Sequence, residues 1–364
     1  MAFFKKIFSG KKDEYTDKVV GIDIGSSSIK VVELESKKDV LTLTTYGELQ
    51  LGPYANDDTG KAVVLPPEKE QEAFIDILRE SAVKTKEAVF SMPLSSSFVT
   101  NINIKASPDS DLEPLIKSES RKAIPVPLSD VVLDWAELSS PDESKSKSKN
   151  KKENLNHNVL IAAIQNVYLS RFRILMKFAD LNNPPIEIEC FSLIRTIYNG
   201  KNDSFAIIDI GASSTKLYIV KAGVLMRMYR VRVGGVTVSK QISKTVNIDF
   251  ATAEQKKKNL DTNNVPIDFR RANESVYGRV LREFSQVLGS YERKSGNKIN
   301  TVYLSGGASL FPGTINYVKD ILSRDAVMID AFSNISYPAF MEDVMKEISP
   351  SFAVSLGAAL RWFE

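Results

Sequence analysis

The sequence predicts an α/β fold of two duplicated lobes, with an additional small α+β subdomain in the first lobe. An internal repeat is the first observation behind this prediction. Residues 21–30 align without gaps with residues 207–216, and both segments read Asp-Ile-Gly, then Ser or Ala, then Ser-Ser. The repeated aspartates, Asp23 and Asp209, are about half of the 364-residue chain apart. Each half therefore contains one copy and is expected to form one lobe.

The second observation is that each copy lies between two short apolar runs. The runs at 19–22 and 29–34 flank the first copy, and those at 205–208 and 217–220 flank the second. Apolar runs on both sides of a turn rich in Gly and Ser are typical of a β-hairpin. Each copy is therefore predicted to be a strand, a tight turn and a second strand.

The region between the copies supplies the elements of the small subdomain. Apolar spacing and the positions of prolines predict helices at 70–80, 115–124 and 168–181, and strands at 88–92, 98–104, 130–138 and 159–164. Residues 140–158 are rich in Lys, Ser and Asn and almost devoid of apolar side chains. Such a segment buries too little apolar surface to offset its ordering entropy, so a disordered loop is predicted there.

The region after the second copy is predicted to complete lobe two. The pattern indicates a strand at 225–233, a helix at 237–246, a largely polar helical zone at 249–292 whose last helix covers 276–291, a strand at 301–304 and a helix at 314–322. The Gly-rich segment at 305–313 turns the last strand into the last of these helices.

Composition excludes several function classes. The chain has 48 basic and 45 acidic residues and a net charge of +3, too even a balance for one dominant basic face, so nucleic acid is not expected as a partner. The one cysteine, Cys190, excludes a disulfide within the chain and a zinc site built on cysteines. The one histidine, His157, lies in the polar stretch, so hydrolytic triads are not expected.

The N-terminal tail has a composition suited to a membrane surface. No apolar run approaches the ~20 residues of a membrane-spanning helix, and the protein is expected to be cytoplasmic. Phe3, Phe4 and Phe8 nevertheless accompany two lysines within the first eight residues. Aromatic anchors with lysines favour peripheral contact with an anionic membrane, and a frayed tail is the alternative.

The two repeated hairpins have the chemistry of phosphate-binding loops. A Gly- and Ser-rich tip exposes backbone N–H groups and hydroxyls that donate hydrogen bonds to phosphate oxygens. Asp23 and Asp209, which end the entering strands, are placed to hold Mg²⁺ through water, because Mg²⁺ prefers oxygen ligands and keeps several waters beside phosphates. The alternative is two ordinary turns that survive from a duplication and bind no ligand. Lys30 and Lys216 also match, but alternation on a strand is typical of a solvated face, and no role is assigned to them.

The order of motifs along the chain resembles the actin and sugar-kinase superfamily. Pro-Ile-Glu-Ile-Glu-Cys at 185–190 lies between the two hairpins. The second hairpin is followed by Leu-Ser-Gly-Gly-Ala-Ser at 304–309 and by Ala-Val-Ser-Leu-Gly-Ala-Ala-Leu at 353–360. These resemble the connecting helices and the adenosine motif of that superfamily. An actin-like, ribonuclease H-like fold is implied over the whole chain.

Within the superfamily the chain is most similar to the PilM family of type IV pilus assembly proteins, which is itself similar to FtsA. The resemblance rests on residues 21–34, on Ser-Met-Pro-Leu-Ser at 91–95 and on Ile-Pro-Val-Pro-Leu-Ser-Asp-Val-Val-Leu-Asp-Trp at 124–135. It implies an ATP- and Mg²⁺-binding adaptor at the inner face of the cytoplasmic membrane. Its implied partner is the cytoplasmic N-terminal peptide of a PilN-like inner-membrane protein.

The resemblance also implies residue roles. Contacts to the phosphates fall to Gly25, Ser26 and Ser27 in lobe one and to Gly211, Ala212 and Ser213 in lobe two. Gly306 and Gly307 are implied to let the backbone approach the nucleoside, and Glu283 to touch the ribose or adenine. Glu189 falls where relatives have a residue that orients an attacking water. One such carboxylate without a positioned partner implies a slow ATPase at most.

Two other functions remain open at this point. A polymerising cell-division protein of FtsA type is expected to end in a membrane-binding helix, whereas this sequence ends at 362–364 directly after the last predicted helix. A small-molecule kinase of the superfamily needs an aspartate base in the cleft of lobe one. The corresponding region offers only the serines at 95–97.

These inferences divide the chain into five parts. They are a tail at 1–17, a lobe-one core at 18–87 and 178–200, an inserted partner-binding subdomain at 88–177, a lobe-two core at 201–240 and 300–364, and a helical subdomain of lobe two at 241–299.

Overall fold

Lobe one is built on a five-stranded mixed sheet. The computed structural model of the protein describes residues 16–107, 110–138, 156–182, 185–201 and 203–364. The strands of the first sheet are β1 (Lys18–Ile24), β2 (Ser28–Lys37), β3 (Val40–Gln50), β4 (Ala88–Met92) and β8 (Ile186–Ile188), in the order β3-β2-β1-β4-β8. The β1–β2 and β2–β3 pairs are antiparallel, and β1–β4 and β4–β8 are parallel.

Lobe two repeats this sheet strand for strand. Its strands are β9 (Ser204–Ile210), β10 (Thr215–Lys221), β11 (Val224–Val231), β12 (Thr301–Ser305) and β13 (Asp325–Met328), in the order β11-β10-β9-β12-β13. Again the first two pairs are antiparallel and the last two are parallel. The predicted duplication is confirmed, and each repeated segment is the strand–turn–strand that the sequence predicts.

Helices cover the two sheets. Those of lobe one and of the connection between the lobes are α1 (Pro67–Glu80), α4 (Glu189–Ile197) and α9 (Glu342–Leu360). Those of lobe two are α5 (Gly235–Val246), α6 (Phe250–Lys258), α7 (Ile267–Ser295) and α8 (Thr314–Leu322). The helix predicted at 276–291 is too short, because its first turns are largely polar and only Phe269, Ala272 and Asn273 are buried there.

The helices α4 and α9 pack against each other, and α9 packs against β1, in both cases through a glycine. A Cβ atom on Gly357 would lie 2.0 Å from the carbonyl oxygen of Ser192, and one on Gly21 would lie 2.0 Å from that of Ser355. Only residues without a side chain permit such close backbone approach. Arg195 of α4 further donates to the carbonyl oxygen of Gly357 at 3.0 Å and pairs with the buried Glu187. The two connecting helices therefore form a tightly packed joint between the lobes.

The inserted subdomain is a three-stranded antiparallel sheet with two helices. Its elements are β5 (Ser97–Lys105), α2 (Leu112–Ala123), β6 (Val131–Glu137), β7 (Asn156–Gln165) and α3 (Asn166–Phe178), and the strand order is β5-β7-β6. Ile116 of α2 is fully buried beside Val159 and Ile161 of the central strand. The α+β composition predicted for this region is confirmed, whereas its bounds at 88–177 stay a prediction.

The disordered loop predicted at 140–158 is wrong at its C-terminal end. Residues 156–158 belong to β7, where His157 is paired with Ile104, and its Nδ1 lies 2.6 Å from a carboxylate oxygen of Glu137. Residues 156–158 pair with β5, and backbone hydrogen bonds between strands do not require apolar side chains. Residues 140–155 and the tail residues Phe3, Phe4 and Phe8 lie outside the described residues. Within the described ranges, no helix is both long and apolar enough to span a membrane.

Candidate functional site

A cleft of about 970 Å³ separates the two lobes, and both repeated hairpins line it. Eleven of the twelve predicted site residues line this cleft: Asp23, Gly25, Ser26, Ser27, Glu189, Asp209, Gly211, Ala212, Ser213, Gly306 and Gly307. Glu283 is the exception. It pairs with Arg279 along the same face of α7 at 2.9 Å, and the structure does not bring it to the cleft.

The two hairpin turns have the same backbone geometry and face each other. The Gly25 N–H donates to the carbonyl oxygen of Ser28 at 3.0 Å, and the Gly211 N–H donates to that of Ser214 at the same distance. The tips meet where Ser26 Oγ donates to Ser213 Oγ at 2.9 Å. Hydroxyls and turn N–H groups from both lobes therefore converge on one point of the cleft, as an anion-binding site requires.

The aspartates that end the entering strands occupy equivalent positions but differ in their surroundings. Asp23 is paired in register with Lys30, and Asp209 is paired in register with Lys216. Asp209 Oδ2 lies 3.0 Å from Lys216 Nζ. Asp23 makes no ion pair or side-chain hydrogen bond within the described part of the chain. Burial raises the pKa of Asp23 to about 6, and the charge of Lys30 offsets this only in part.

Lys216 joins the two lobes at the floor of the cleft. Its Nζ lies 2.8 Å from Oε2 of Glu189, the first residue of α4. The other carboxylate oxygen of Glu189 accepts the Leu94 N–H at 2.8 Å. All three charged side chains are about nine-tenths buried. Burial lowers the pKa of Lys216, but Glu189 and Asp209 outweigh burial and hold the pKa well above its ordinary value. The interpretation of Lys216 as part of a solvated face is wrong, because its side chain is only 12% exposed.

Lys30, its counterpart in lobe one, also lines the cleft but has different partners. Its Nζ donates to Ser28 Oγ at 2.8 Å and lies 3.2 Å from Glu48. Burial raises the pKa of Glu48, but the charge of Lys30, hydrogen bonds to Ser28 and Lys30 and the charge of Lys258 together outweigh burial, so the net pKa is lowered. The ammonium group of Lys30 is therefore held beside the first hairpin turn.

Gly306 occupies a place that no other residue fits. Its φ is +84°, and a Cβ atom there would lie 2.4 Å from the carbonyl oxygen of Ile210 and 2.6 Å from Asp209 Oδ1. Its N–H donates to the carbonyl oxygen of Pro350 at 2.8 Å, which ties α9 to this turn. The glycine therefore lets the turn after β12 pack directly against the end of β9.

Helix α7 presents two unpartnered polar atoms at the cleft. Asn273 and Tyr277 line it, and Asn273 Oδ1 and Tyr277 Oη are buried with no hydrogen-bond partner in the described part of the chain. Buried polar atoms of this kind are costly unless a ligand or water satisfies them. The resemblance to relatives implied this contact for Glu283, which lies ten and six residues further along the same helix.

A second buried charge cluster lies close to these atoms. Lys257 Nζ donates to Ser239 Oγ at 2.7 Å and to Glu254 Oε2 at 2.6 Å. Burial lowers the pKa of Lys257, and Glu254 offsets this only in part. A Cβ atom on Gly60 of lobe one would lie 2.7 Å from the side chain of Glu254, so the lobes are in contact at this side of the cleft.

The residues present fit a nucleotide with Mg²⁺. Converging N–H groups and hydroxyls suit phosphate oxygens, and the unpartnered atoms on α7 suit the polar groups of a nucleoside. No group of three or more His, Cys, Asp or Glu that could hold a metal occurs in the described ranges. Asp23, whose carboxylate has no protein partner, fits a Mg²⁺ ion that takes its other ligands from phosphates and water.

Known proteins share this architecture. A family model described as type IV pilus assembly protein PilM matches residues 21–363. A chain of the structure titled "PilM-PilN type IV pilus biogenesis complex" is 21% identical, with 96% of this chain and 100% of that chain covered and a TM-score of 0.79.

Two more distant structures have the same fold. The ethanolamine utilization protein EutJ from Carboxydothermus hydrogenoformans is 14% identical, with 98% of this chain and 93% of that chain covered and a TM-score of 0.51. MreB 5 of Spiroplasma citri bound to AMPPNP is 12% identical, with coverage of 95% and 96% and a TM-score of 0.53. The predicted actin-like fold is confirmed. Since the family model spans nearly the whole sequence, the chain belongs to the PilM family of type IV pilus assembly proteins.

Proposed function

We propose that this protein is an ATP- and Mg²⁺-binding adaptor of a type IV pilus assembly platform, at the cytoplasmic face of the inner membrane. In this proposal it binds the cytoplasmic N-terminal peptide of a PilN-like membrane protein, and the nucleotide sets the strength of that binding. The observation that carries the proposal is the pair of matched hairpins that meet tip to tip across the cleft. The structure of a PilM-PilN complex supports the choice of partner.

The nucleotide is proposed to lie with its phosphates between the hairpins and its nucleoside towards α7. The hydroxyls of Ser26 and Ser213 exchange the hydrogen bond between them for hydrogen bonds to phosphate oxygens. The N–H groups of both residues also donate to the phosphates. Asp23 and Asp209 hold Mg²⁺ through water, and the ion neutralises charge on the phosphates. A ligand that contacts both lobes stabilises their closed arrangement by its differential affinity for it.

Two sets of contacts connect the walls of the cleft to the inserted subdomain. Residues 93–96 join β4 to β5, and in this segment Ser95 lines the cleft while Leu94 donates to Glu189. Helix α3 contributes Arg171, which forms a two-pronged ion pair with the buried Glu70 of α1 at the cleft wall. A shift of the lobes at the cleft therefore acts on both β5 and α3 of the subdomain.

The subdomain also contacts lobe two directly. Asn101 of β5 donates from Nδ2 to the carbonyl oxygens of Leu225 and Met226, at 3.1 and 2.9 Å. These carbonyls belong to β11, the edge strand of the lobe-two sheet. Because the subdomain is inserted in lobe one but hydrogen-bonded to lobe two, relative motion of the lobes changes its position. This is the physical basis for nucleotide-dependent peptide binding.

Calorimetric titration tests the nucleotide site. We expect the wild type to bind one equivalent of ATP in the presence of Mg²⁺ and Asp209→Asn to lose at least about tenfold in affinity, since one of the carboxylates proposed to hold Mg²⁺ beside the phosphates is removed. The matched control is Asp39→Asn, in an exposed turn with φ of +63°, where Asn is well tolerated. Unchanged affinity in Asp209→Asn would contradict the hairpin clamp.

Titration with synthetic N-terminal peptides of PilN-like proteins tests the adaptor role. The full chain is titrated with each peptide, with a scrambled peptide of the same composition as the control. Binding of the native peptide alone is the expected result. If no such peptide binds in the presence or absence of ATP, the adaptor function is wrong.

A further inference from the structure

A single buried cation spans the two lobes beneath the hairpins. Lys216 extends from β10 of lobe two, and Glu189 begins α4, directly after the last strand of the lobe-one sheet. The distance of 2.8 Å between Lys216 Nζ and Glu189 Oε2 makes this an ion pair between the lobes, and Asp209 Oδ2 completes it at 3.0 Å. Both carboxylates therefore share one ammonium group.

The arrangement is not a by-product of the duplicated fold. Lys30 occupies the same register position in lobe one, yet it pairs with Glu48 and Ser28 and not with Asp23. The duplicated backbone therefore does not determine the direction of the lysine side chain. In lobe two this side chain extends to Glu189. This difference between two otherwise matched hairpins indicates a role specific to lobe two.

The ion pair occupies the carboxylate that a water molecule would need. Oε2 of Glu189 faces Lys216 and Oε1 accepts the Leu94 N–H, so each oxygen has a protein partner. To orient and activate water, a carboxylate must present an oxygen within hydrogen-bond distance of it.

We propose that Lys216 is a positioning residue that locks Glu189 in an ion pair between the lobes, so that bound ATP is kept as a ligand and not hydrolysed at an appreciable rate. The inference rests on the proposed ATP site and names its regulation. If the affinity for the peptide depends on ATP, slow hydrolysis keeps the protein in its ATP-bound state until the nucleotide dissociates.

The reaction that the lock suppresses is hydrolysis of the terminal phosphate. The oxygen of a water molecule forms a bond to the terminal phosphorus, and the bond from that phosphorus to the oxygen it shares with the β-phosphate breaks. One proton of the water passes to Glu189 and then to solvent, which leaves ADP and inorganic phosphate. With Lys216 and Leu94 on its two oxygens, Glu189 does not take up this proton.

Phosphate release by the full chain tests the lock. Lys216→Gln is expected to raise kcat by about tenfold or more, as gain of a general base does, with KM changed by less than about threefold. The double variant Lys216→Gln/Glu189→Gln is expected to return to the wild-type rate. No rise in kcat, or a rise that persists without Glu189, would overturn the proposal.

Lys30→Gln is the matched control. It removes the same charge from the same register position in lobe one, where Glu189 is not the partner. The lock predicts no rise in kcat for this variant. An equal rise in kcat would show that loss of any cation from the cleft has this effect, and it would overturn the specific role of Lys216.

A third variant keeps the test valid if Lys216→Gln does not fold. Lys216→Met has a side chain of similar length without the charge, and it is also expected to raise kcat by about tenfold or more, because Oε2 of Glu189 loses its ammonium partner. No rise in kcat in a folded Lys216→Met chain would overturn the lock.

Two measurements without turnover complete the test. Thermal unfolding without nucleotide is expected to show coupling between Lys216 and Glu189. The loss of melting temperature in Lys216→Gln/Glu189→Gln should be smaller, by at least about 2 °C, than the sum of the losses in the two single variants. Additive losses would contradict the ion pair. Calorimetry separates the two proposals. Absence of ATP binding by the wild type would overturn the proposed function and the lock with it, whereas intact ATP binding with unchanged kcat in Lys216→Gln would overturn the lock alone.

Discussion

Gly306→Ala perturbs the site at the point where backbone and aspartate are in closest contact. Two costs add for this variant. Alanine at φ of +84° and ψ of 148° lies in a backbone region that is essentially restricted to glycine, which costs about 1–3 kcal/mol. Its Cβ would also lie 2.4 Å from the Ile210 carbonyl oxygen and 2.6 Å from Asp209 Oδ1. Relief of such a contact requires backbone shifts of the kind that cost about 1–3 kcal/mol in overpacked cores.

Gly296→Ala has a positive φ without the close contacts. Gly296 ends α7 at φ of +70°, and nothing lies within 4 Å of a Cβ atom built there. We therefore expect a loss of about 1–2 kcal/mol in unfolding free energy for Gly296→Ala. For Gly306→Ala the sum of both costs predicts a loss of about 2–6 kcal/mol.

Urea unfolding and ATP calorimetry measure the two variants side by side. Gly306→Ala is expected to lose at least about tenfold in ATP affinity, because the shifted atoms include the Asp209 carboxylate and the end of β9. Gly296→Ala is expected to bind ATP as the wild type does. Equal loss of stability in the two variants, or full ATP affinity in Gly306→Ala, would refute the close-packing argument.

Three further predictions address separate parts of the site. Ionising Asp23 above its pKa of about 6 costs about 3 kcal/mol of folding free energy. Asp23→Asn is therefore expected to melt above the wild type at pH 7.5, with the advantage vanishing as the pH falls from 6 towards 4, and a pH-independent difference would contradict this. Tyr277→Phe removes a buried hydroxyl without a partner, so thermal melts are expected to show no loss of stability while calorimetry shows ATP affinity falling several-fold; unchanged affinity would exclude Tyr277 from the nucleoside site. Asn101→Ala removes the bonds to β11, and peptide affinity is expected to stop responding to ATP while ATP binding persists; a retained response would place the coupling elsewhere.

The duplicated fold could be predicted because its signal is local and repeated. Each Asp-Ile-Gly turn is bounded by apolar runs, and these became β1, β2, β9 and β10. The extent of α7 could not be predicted in the same way. Residues 267–275 are mostly polar, and their helical state depends on packing of Phe269 and Ala272 against the rest of lobe two. Asn273 therefore lies outside the helix predicted at 276–291, whereas Tyr277 lies at its start, where the sequence pattern does not show that it lines the cleft.

The role of Lys216 shows a second limit of sequence reasoning. A tight antiparallel hairpin places residues on either side of the turn opposite each other, so its pairing with Asp209 was available from the register. Its contact with Glu189 was not, because that contact depends on how the two lobes are placed relative to each other. Similarly, pairing partners distant in sequence make His157 part of a strand although its local sequence is typical of a loop.

The central claim is that ATP changes the affinity for a PilN-like N-terminal peptide, and one titration tests it most directly. The peptide is titrated into the full chain with Mg²⁺, first without nucleotide and then with saturating ATP. We predict dissociation constants that differ by about fivefold or more, the lower range of coupling between linked sites. We also predict that Asp209→Asn abolishes the difference at the same ATP concentration. Equal peptide affinities with and without bound ATP in the wild type would contradict the account.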